Sequence, residues 1–460
     1  MSRLPGFPWY AVGVLVVAAV AWTLPRWLPR AVVRLREWIF VRVNGVEGIP
    51  VPGPLVRPEH FERVYSDPAA DGRSRGAGLS DLFWYWLAPG PQMHQEHLEP
   101  GERYRTVART TRRVLAVSHR RSAELAGAAA RRVLDELPAG RTSQVRLRDL
   151  MMPIWAEVYH ELVFAEACPA DVRALIVANA DDVVTALKCC GLRHLDRRDR
   201  LTRHLRARVE AGTAPVTLPE PFTAEETTWY LQGTFFNTAV VQMSEAMAHL
   251  LLALAQHPSA QRDLIATLDD LDGEGDRALD RVIDEALRVH PLFGVAHRIT
   301  SGPIEVEPGV TIPAGSVLLF NYLAFQRTGP AADDTFDPAR WLTLRRGDAH
   351  FVPFGVTANR ACPARGVAPV MMRAVTREVL RRYALVSTVR HTRSLPSRGP
   401  CLLVPPGAPS PGGVRRWWMR WTDRWADVRR SLVQLVLGTW MVVDARRVRL
   451  CTSYFEEVRP

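Results

Sequence analysis

One cysteine in this 460-residue chain stands in surroundings suited to chemistry. Cys362 lies in a segment that begins Phe351-Val352-Pro353-Phe354-Gly355 and runs through Arg360-Ala361-Cys362-Pro363-Ala364 to Val367-Ala368. It opens a helical pattern that extends to about Tyr383. A cysteine placed there meets the positive end of a helix dipole and free backbone N–H groups, and both favour a thiolate. The other cysteines, at 168, 189, 190, 401 and 451, form no Cys-x-x-Cys pair and no His/Cys cluster with zinc spacing. They read as small buried apolar groups in a reduced compartment. Three signals precede Cys362 in order. Glu285-Ala286-Leu287-Arg288 sits on a helix ending at His290-Pro291, with its Glu and Arg on one face. Arg298 follows where the chain turns towards a strand, and then comes Phe336-Asp337-Pro338-Ala339-Arg340-Trp341.

The elements that must position these residues are mostly helical, with a few short strands. Thr106 to Leu137 is a basic helical region broken near Ser118, and Leu147–Phe164 and Pro169–Leu187 are two further helices. Phe222 to His257 is the longest apolar helical run, closed by Pro258. Ile304-Glu305-Val306, Val310-Thr311-Ile312 and Val317 to Phe320 read as short strands around tight turns. Asp337 to Gly355 is irregular. The expected fold class is therefore mainly α with small β-sheets.

Taken in order, these motifs resemble the cytochromes P-450. That family has a Glu-x-x-Arg helix, an arginine in the following strand, an aromatic-x-Pro-x-Arg-aromatic segment, and a loop whose cysteine opens a helix. Ala255-Gln256-His257-Pro258 and Val117-Ser118-His119-Arg120-Arg121 are similar to it as well. The resemblance covers roughly residues 50 to 404. It implies a P-450-like fold, a haem b (iron protoporphyrin) cofactor, and Cys362 as axial ligand of the haem iron. It also implies that Glu285, Arg288 and Arg340 form a buried brace under the cysteine loop, and that Phe354 lies against the haem. Arg298 and Arg360 occupy positions that face the haem propionates. A third donor comes from an early basic helix, where Thr106 and Thr110 align and Arg105 and Arg109 stand one residue earlier; Arg109 is the favoured choice.

Two stretches depart from the family. Phe354 stands eight residues before the cysteine where seven is usual, and Ala358 and Ala364 replace glycines that permit positive φ and close approach to haem. In the oxygen-activating helix, the acid and alcohol of the proton relay fall on Val241 and Gln242, and the opening pair falls on Thr238 and Ala239. A one-turn slip would instead bring in Asn237 or Thr238, or Ser244-Glu245. Without a relay, proton delivery loses its usual route.

The ends lie outside the resemblance. Between Arg3 and Arg26 no residue is charged, and Phe7 to Leu24 matches a hydrocarbon core of about 30 Å. Arg26, Arg30, Arg34 and Arg36 follow, which favours an anchor with the rest of the chain in the cytoplasm. A cleaved signal at Ala19-Val20-Ala21, or a buried or interfacial helix bounded by Pro8 and Pro25, are the alternatives. The expected layout is an anchor with its basic flank at 1–35, a haem domain at 36–404, a Pro/Gly linker at 405–413 and a Trp/Arg-rich extension at 414–460. In that extension Trp418, Trp421, Trp425, Val428 and Leu432 recur at helical spacing, as a helix packed on its own domain or one lying on a membrane surface.

The formal net charge is +11, and Lys188 is the one lysine. That excess favours anionic partners: lipid headgroups, an acidic redox protein, or, last, nucleic acid, for which no basic stripe with interleaved aromatics argues. The leading expectation is a membrane-anchored haem-thiolate monooxygenase acting on an apolar small molecule. Its electrons come from a ferredoxin or flavoprotein, because the chain has no flavin or nicotinamide fingerprint. Arg112, Arg113 and Arg365 are candidate docking residues for that donor, and Leu79 to Leu98 is a candidate substrate wall. Two alternatives remain open: a peroxide-using or rearranging haem enzyme, and a non-catalytic membrane-bound binding or interaction protein.

Overall fold

The computed structural model describes residues 9–44, 48–75, 77–214, 222–270, 273–292, 294–356, 358–392 and 395–457. The chain opens with α1 (Trp9–Asn44), β1 (Ile49–Val51), α2 (Phe61–Ser66) and α3 (Gly78–Leu87). The basic stretch divides into α4 (Glu102–Val114) and α5 (His119–Asp135). Ser118 makes the break, because its hydroxyl caps α5 by accepting the Arg121 N–H at 3.2 Å. Next come β2 (Ser143–Arg146), α6 (Leu147–Phe164), α7 (Ala170–Leu187) and α8 (Leu195–Glu210).

The longest apolar run forms one continuous rod from three pieces: α9 (Ala224–Leu231), a π-helical segment (Gln232–Ala239) and α10 (Val240–Gln256). Pro258 then starts α11 (Pro258–Thr267), where its missing N–H costs nothing. The rest comprises α12 (Glu274–Val289), β3 (Val295–Ile299), β4 (Ile304–Glu307), β5 (Val310–Ile312), β6 (Val317–Asn321), α13 (Tyr322–Gln326), α14 (Ala368–Arg382), β7 (Ala384–Val386), β8 (Pro400–Val404), α15 (Gly413–Val448) and α16 (Leu450–Glu457). One sheet sets β6 between parallel β1 and antiparallel β3; a second sets β8 between β2 and β7; β4 and β5 pair alone. The fold is mainly α with small sheets.

The main core forms where α10 packs on α6 and α14 on α5, around Trp155, Leu250, Leu254, Met371 and Val375. A second cluster of Phe61, Tyr65, Phe320 and Phe325 lies under the first sheet. One sequence expectation needs correcting: Cys362 does not open the last long helix. It sits in a run of turns, and α14 begins at Ala368.

The element that fixes this loop is a buried carboxylate. Glu285 on α12 is fully buried and accepts from Arg288 Nε at 2.9 Å and Nη2 at 2.8 Å. Arg340 Nε donates to it at 3.1 Å, Trp341 Nε1 at 3.0 Å and the Asp337 N–H at 2.8 Å. Arg288 also donates to the carbonyls of Ala331, Asp333 and Thr335. One acid thus ties α12 to the whole stretch from 331 to 341. Removing it strands two guanidinium groups, so Glu285→Gln should lose about 3–5 kcal/mol of stability in equilibrium denaturation.

Three imidazoles stack behind this brace. His249 Nδ1 is 2.7 Å from His391 Nε2, and the His290 and His391 ring centroids are 3.4 Å apart. Burial lowers the His290 pKa to about 4 and pushes His391 further down, with neighbouring imidazoles adding to both. Both are neutral in the fold, while the unfolded chain takes up protons below about 6.5. Their contribution is complete above that pH and shrinks as pH falls from 6.5 towards 4. Stability should drop by several kcal/mol across that window, and His391→Gln should flatten the drop in pH-dependent denaturation.

Candidate functional site

The cysteine loop closes on itself. The Cys362 N–H donates to the Phe354 carbonyl at 2.8 Å, which places the partly buried Phe354 beside the cysteine despite its extra residue of spacing. The loop turns at Gly355 (φ +77°) and at Arg360 (φ +52°). Ala364 takes no positive φ, so that replaced glycine is not where this chain reverses. The cost of about 1–2 kcal/mol for a non-glycine in that region falls on Arg360, whose side chain is firmly held.

Burial pushes the Cys362 thiol up to about 11, while the Ala364 N–H directed at its sulfur lowers it and the Glu96 carboxylate raises it. Alone, the thiol stays protonated at neutral pH; a bound metal ion would displace that proton.

Arg298 is the second notable group. Its side chain is 1% exposed, its Nη2 donates to the Tyr65 hydroxyl at 2.8 Å, and its Nε has no hydrogen-bond partner. Among the described residues no carboxylate pairs with it. A buried guanidinium in that state is costly unless an anion completes it. The Tyr65 hydroxyl lies 3.2 Å from where a Cβ on Gly355 would be, so Arg298 reaches the region of the cysteine loop through Tyr65.

Arg360 has different partners from those expected. Its guanidinium contacts the Asp71 carboxylate, donates to the carbonyls of Gln95 (2.9 Å) and Leu98 (2.8 Å), and lies over the Tyr104 ring at 3.9 Å. It pins the cysteine loop to the segment before α4. Arg109 must be corrected. It is exposed, because Val107, Ala108, Thr110 and Thr111 take the inner face of α4; Arg105 is exposed too and pairs with Glu102 at 2.8 Å.

On the long rod, Thr238 spends its hydroxyl on the Gly233 carbonyl at 2.8 Å, Val241 is buried and Gln242 is half-buried. The slipped alternatives are also engaged. Asn237 bridges Asn179 to the carbonyls of Leu87 and Pro89, Ser244 bonds back to Val240, and Glu245 pairs with Arg148 and Lys188, each at 2.5 Å. Thr234 was missed by sequence reasoning: its hydroxyl is buried without a partner in the π-helical segment. Such segments favour functional positions. Asp71, Tyr65 and Glu96 were missed as well, and only their three-dimensional neighbours reveal them.

The donor set fits a haem. A cysteine sulfur receiving a backbone N–H, a glycine at the turn of its loop, and a buried guanidinium without a counter-anion suit an iron-bearing ligand with carboxylate arms. Arg360, already matched to Asp71, is the one expected contact that is otherwise committed.

Comparisons with known proteins agree. The sequence model of the family Cytochrome P450 matches residues 193–408. A Mycobacterium tuberculosis protein assigned as cytochrome P450 135B1 is 30% identical over 159 residues, covering 32% of this chain and 33% of that protein. Pentalenene oxygenase of Streptomyces avermitilis is 32% identical over 121 residues, 23% of this chain and 27% of that enzyme. The matched part thus spans about a third of the length of these curated relatives. A six-coordinated cytochrome P450 from Thermus thermophilus shares the fold, with a TM-score of 0.57, 19% identity, and coverage of 75% of this chain and 90% of that one. The part of the chain from 193 to 408 thus matches the Cytochrome P450 family model, and the chain shares the fold of a solved cytochrome P450.

Proposed function

We propose that the protein is a haem-thiolate oxidoreductase that oxidises an apolar small molecule, with Cys362 as the iron ligand. The observation that carries this reading is the buried Arg298, which has no acid among the described residues and reaches the loop of Cys362 through Tyr65. Cys362 would hold the iron of haem b, Arg298 a propionate, and Phe354 and Gly355 the near side of the ring. When bound, that group supplies redox chemistry at an iron whose thiolate ligand donates electron density. The polypeptide contributes the apolar walls, the dry surroundings and the brace around Glu285. Electrons would come from a ferredoxin or flavoprotein, and Arg112, Arg113 and Arg365, all exposed, suit an acidic donor.

A peroxide-using reading is favoured by one observation: Asn237, Thr238, Ser244 and Glu245, the expected relay positions with polar side chains at or beside the motif, all have partners already. Turnover driven by hydrogen peroxide and by a ferredoxin system, compared on one apolar probe, separates the two. Faster peroxide turnover supports the second reading.

The same proposal places the haem domain at 36–404 in the cytoplasm, anchored by the first helix. At about 1.5 Å per residue, α1 is roughly 54 Å long, more than a bilayer's hydrocarbon core needs. Residues 13–20 are all exposed, whereas Val32 is buried where the later part of α1 packs along α15. The first half would enter the bilayer and the second half would lie on the domain. Outward-facing Trp417, Trp418 and Trp440 on α15 suit the headgroup layer beside it.

Three outcomes are expected. The reduced, carbon monoxide-bound absorption spectrum should carry the thiolate signature and lose it in Cys362→Ala; an unchanged spectrum would mean another ligand. Haem uptake by Arg298→Gln should weaken about tenfold in titration, the loss of one charged hydrogen bond. A chain shortened to begin at residue 22 should leave the membrane fraction, whereas the full chain should stay there; equal partition removes the anchor.

A further inference from the structure

Haem brings two propionate arms, and the residues expected to meet them are not all free to do so. Arg298 keeps an unpartnered nitrogen, whereas Arg360 is committed to Asp71 and two carbonyls. On the early helix, Arg105 and Arg109 are exposed and the Thr106 hydroxyl turns back to Glu102 at 3.4 Å. One arm is left without an assigned donor.

The segment that leads into α4 runs between the two arginines. Its Gln95 and Leu98 carbonyls hold the Arg360 guanidinium at 2.9 and 2.8 Å. On its other side, Arg73 contacts the Glu96 carboxylate and donates from Nη1 to the His297 carbonyl at 2.5 Å. Arg298 Nη1 reaches that same oxygen at 3.3 Å. Ser74, next to Arg73, donates its hydroxyl to the His97 carbonyl at 2.6 Å. The Phe83 ring stands 6.5 Å from the His97 ring and 5.4 Å from the His297 ring, so one aromatic ring separates His97 from the residue preceding Arg298.

Three histidines meet here, and two have partners. His94 Nδ1 accepts the Glu96 N–H at 3.2 Å, and His297 Nε2 is 2.7 Å from the Arg73 carbonyl. His97 is 6% exposed, yet its Nδ1 has no hydrogen-bond partner among the described residues. A buried polar nitrogen in that state is destabilising unless something completes it. Burial holds the ring neutral, with His94 and Arg73 adding to the effect, so it has one N–H to give, which Nδ1 can carry.

We propose that His97 donates this N–H to one haem propionate while Arg298 takes the other. The proposal rests on the haem reading above and adds to it a residue that lies outside every motif of the sequence. Two carboxylate arms then answer two buried nitrogens that the fold leaves unpartnered. An imidazole from the segment before α4 takes the part of the arginine that α4 does not turn inwards.

Titration of the full-length, haem-free protein with ferric haem and with its dimethyl ester, whose arms carry no charge, tests this. The unaltered protein should prefer haem to the ester. His97→Leu should weaken haem binding about tenfold and leave ester binding unchanged. His97→Gln, which keeps an N–H, should stay within about threefold of the unaltered protein for both porphyrins. If the leucine variant has no thermal transition, His97→Phe carries the same comparison. Equal losses on haem and ester, or undiminished haem affinity in a folded leucine or phenylalanine variant, would overturn the proposal and leave the haem reading in place. Binding of neither porphyrin by the unaltered protein would remove both.

Discussion

The stretch that leads to Cys362 depends on one carboxylate that neutralises two guanidinium groups away from water. Glu285 joins α12 to Arg340 and Trp341, and Arg288 gathers three carbonyls of the irregular stretch beyond. Without that knot, the segment from 331 to 341 has no regular hydrogen-bond ladder to fix it, and it leads directly to the cysteine loop. The buried charges are costly to place, and the cost is recovered only when all partners are present together. The segment that leads to the cysteine loop therefore holds one geometry.

Around this knot the protein distributes its other buried charges by partner. Arg360, Arg148, Lys188 and Arg198 each have a carboxylate, and Arg198 with Asp182 is wholly buried. Burial pulls Lys188 down to about 8, with Glu245 resisting the shift. Arg298 stands apart, because its environment offers a phenol hydroxyl and a carbonyl but no acid among the described residues. In a chain that pairs its buried cations so consistently, that exception marks the place where a ligand's anion belongs. The departures in the rod have a similar physical source. Asn237 and Glu245 tie the rod to the segment 87–89 and to α6, so polar side chains that would serve a relay serve packing.

How much of this was legible in the sequence differed by kind of interaction. The brace was readable because Glu285 and Arg288 share a helix face and Arg340 sits in a recognisable aromatic and proline frame. Ser118 and Pro258 announced their helix boundaries through capping and a missing N–H. The reach of Arg360 to Asp71 was not readable, since it spans 289 positions and depends on how α4 and its preceding segment dock. Arg109 was misread because helical spacing locates a face only relative to a known inner face, and threonines rather than arginines take that face here. The start of α14 was placed six residues early, because a turn-rich approach and a helix share the same apolar pattern. The Trp-rich extension left two readings open, and α15 contains both: Met419, Met441 and Ala445 face the domain while Trp417, Trp418 and Trp440 face outwards.

The central claim is that the sulfur of Cys362 holds a haem iron, and the iron-edge X-ray absorption of the full-length protein addresses it without reference to activity. The account predicts a sulfur scatterer in the first coordination shell that disappears in Cys362→Ala. A shell of nitrogen and oxygen alone, or purified protein that carries no iron when haem is plentiful, would contradict it.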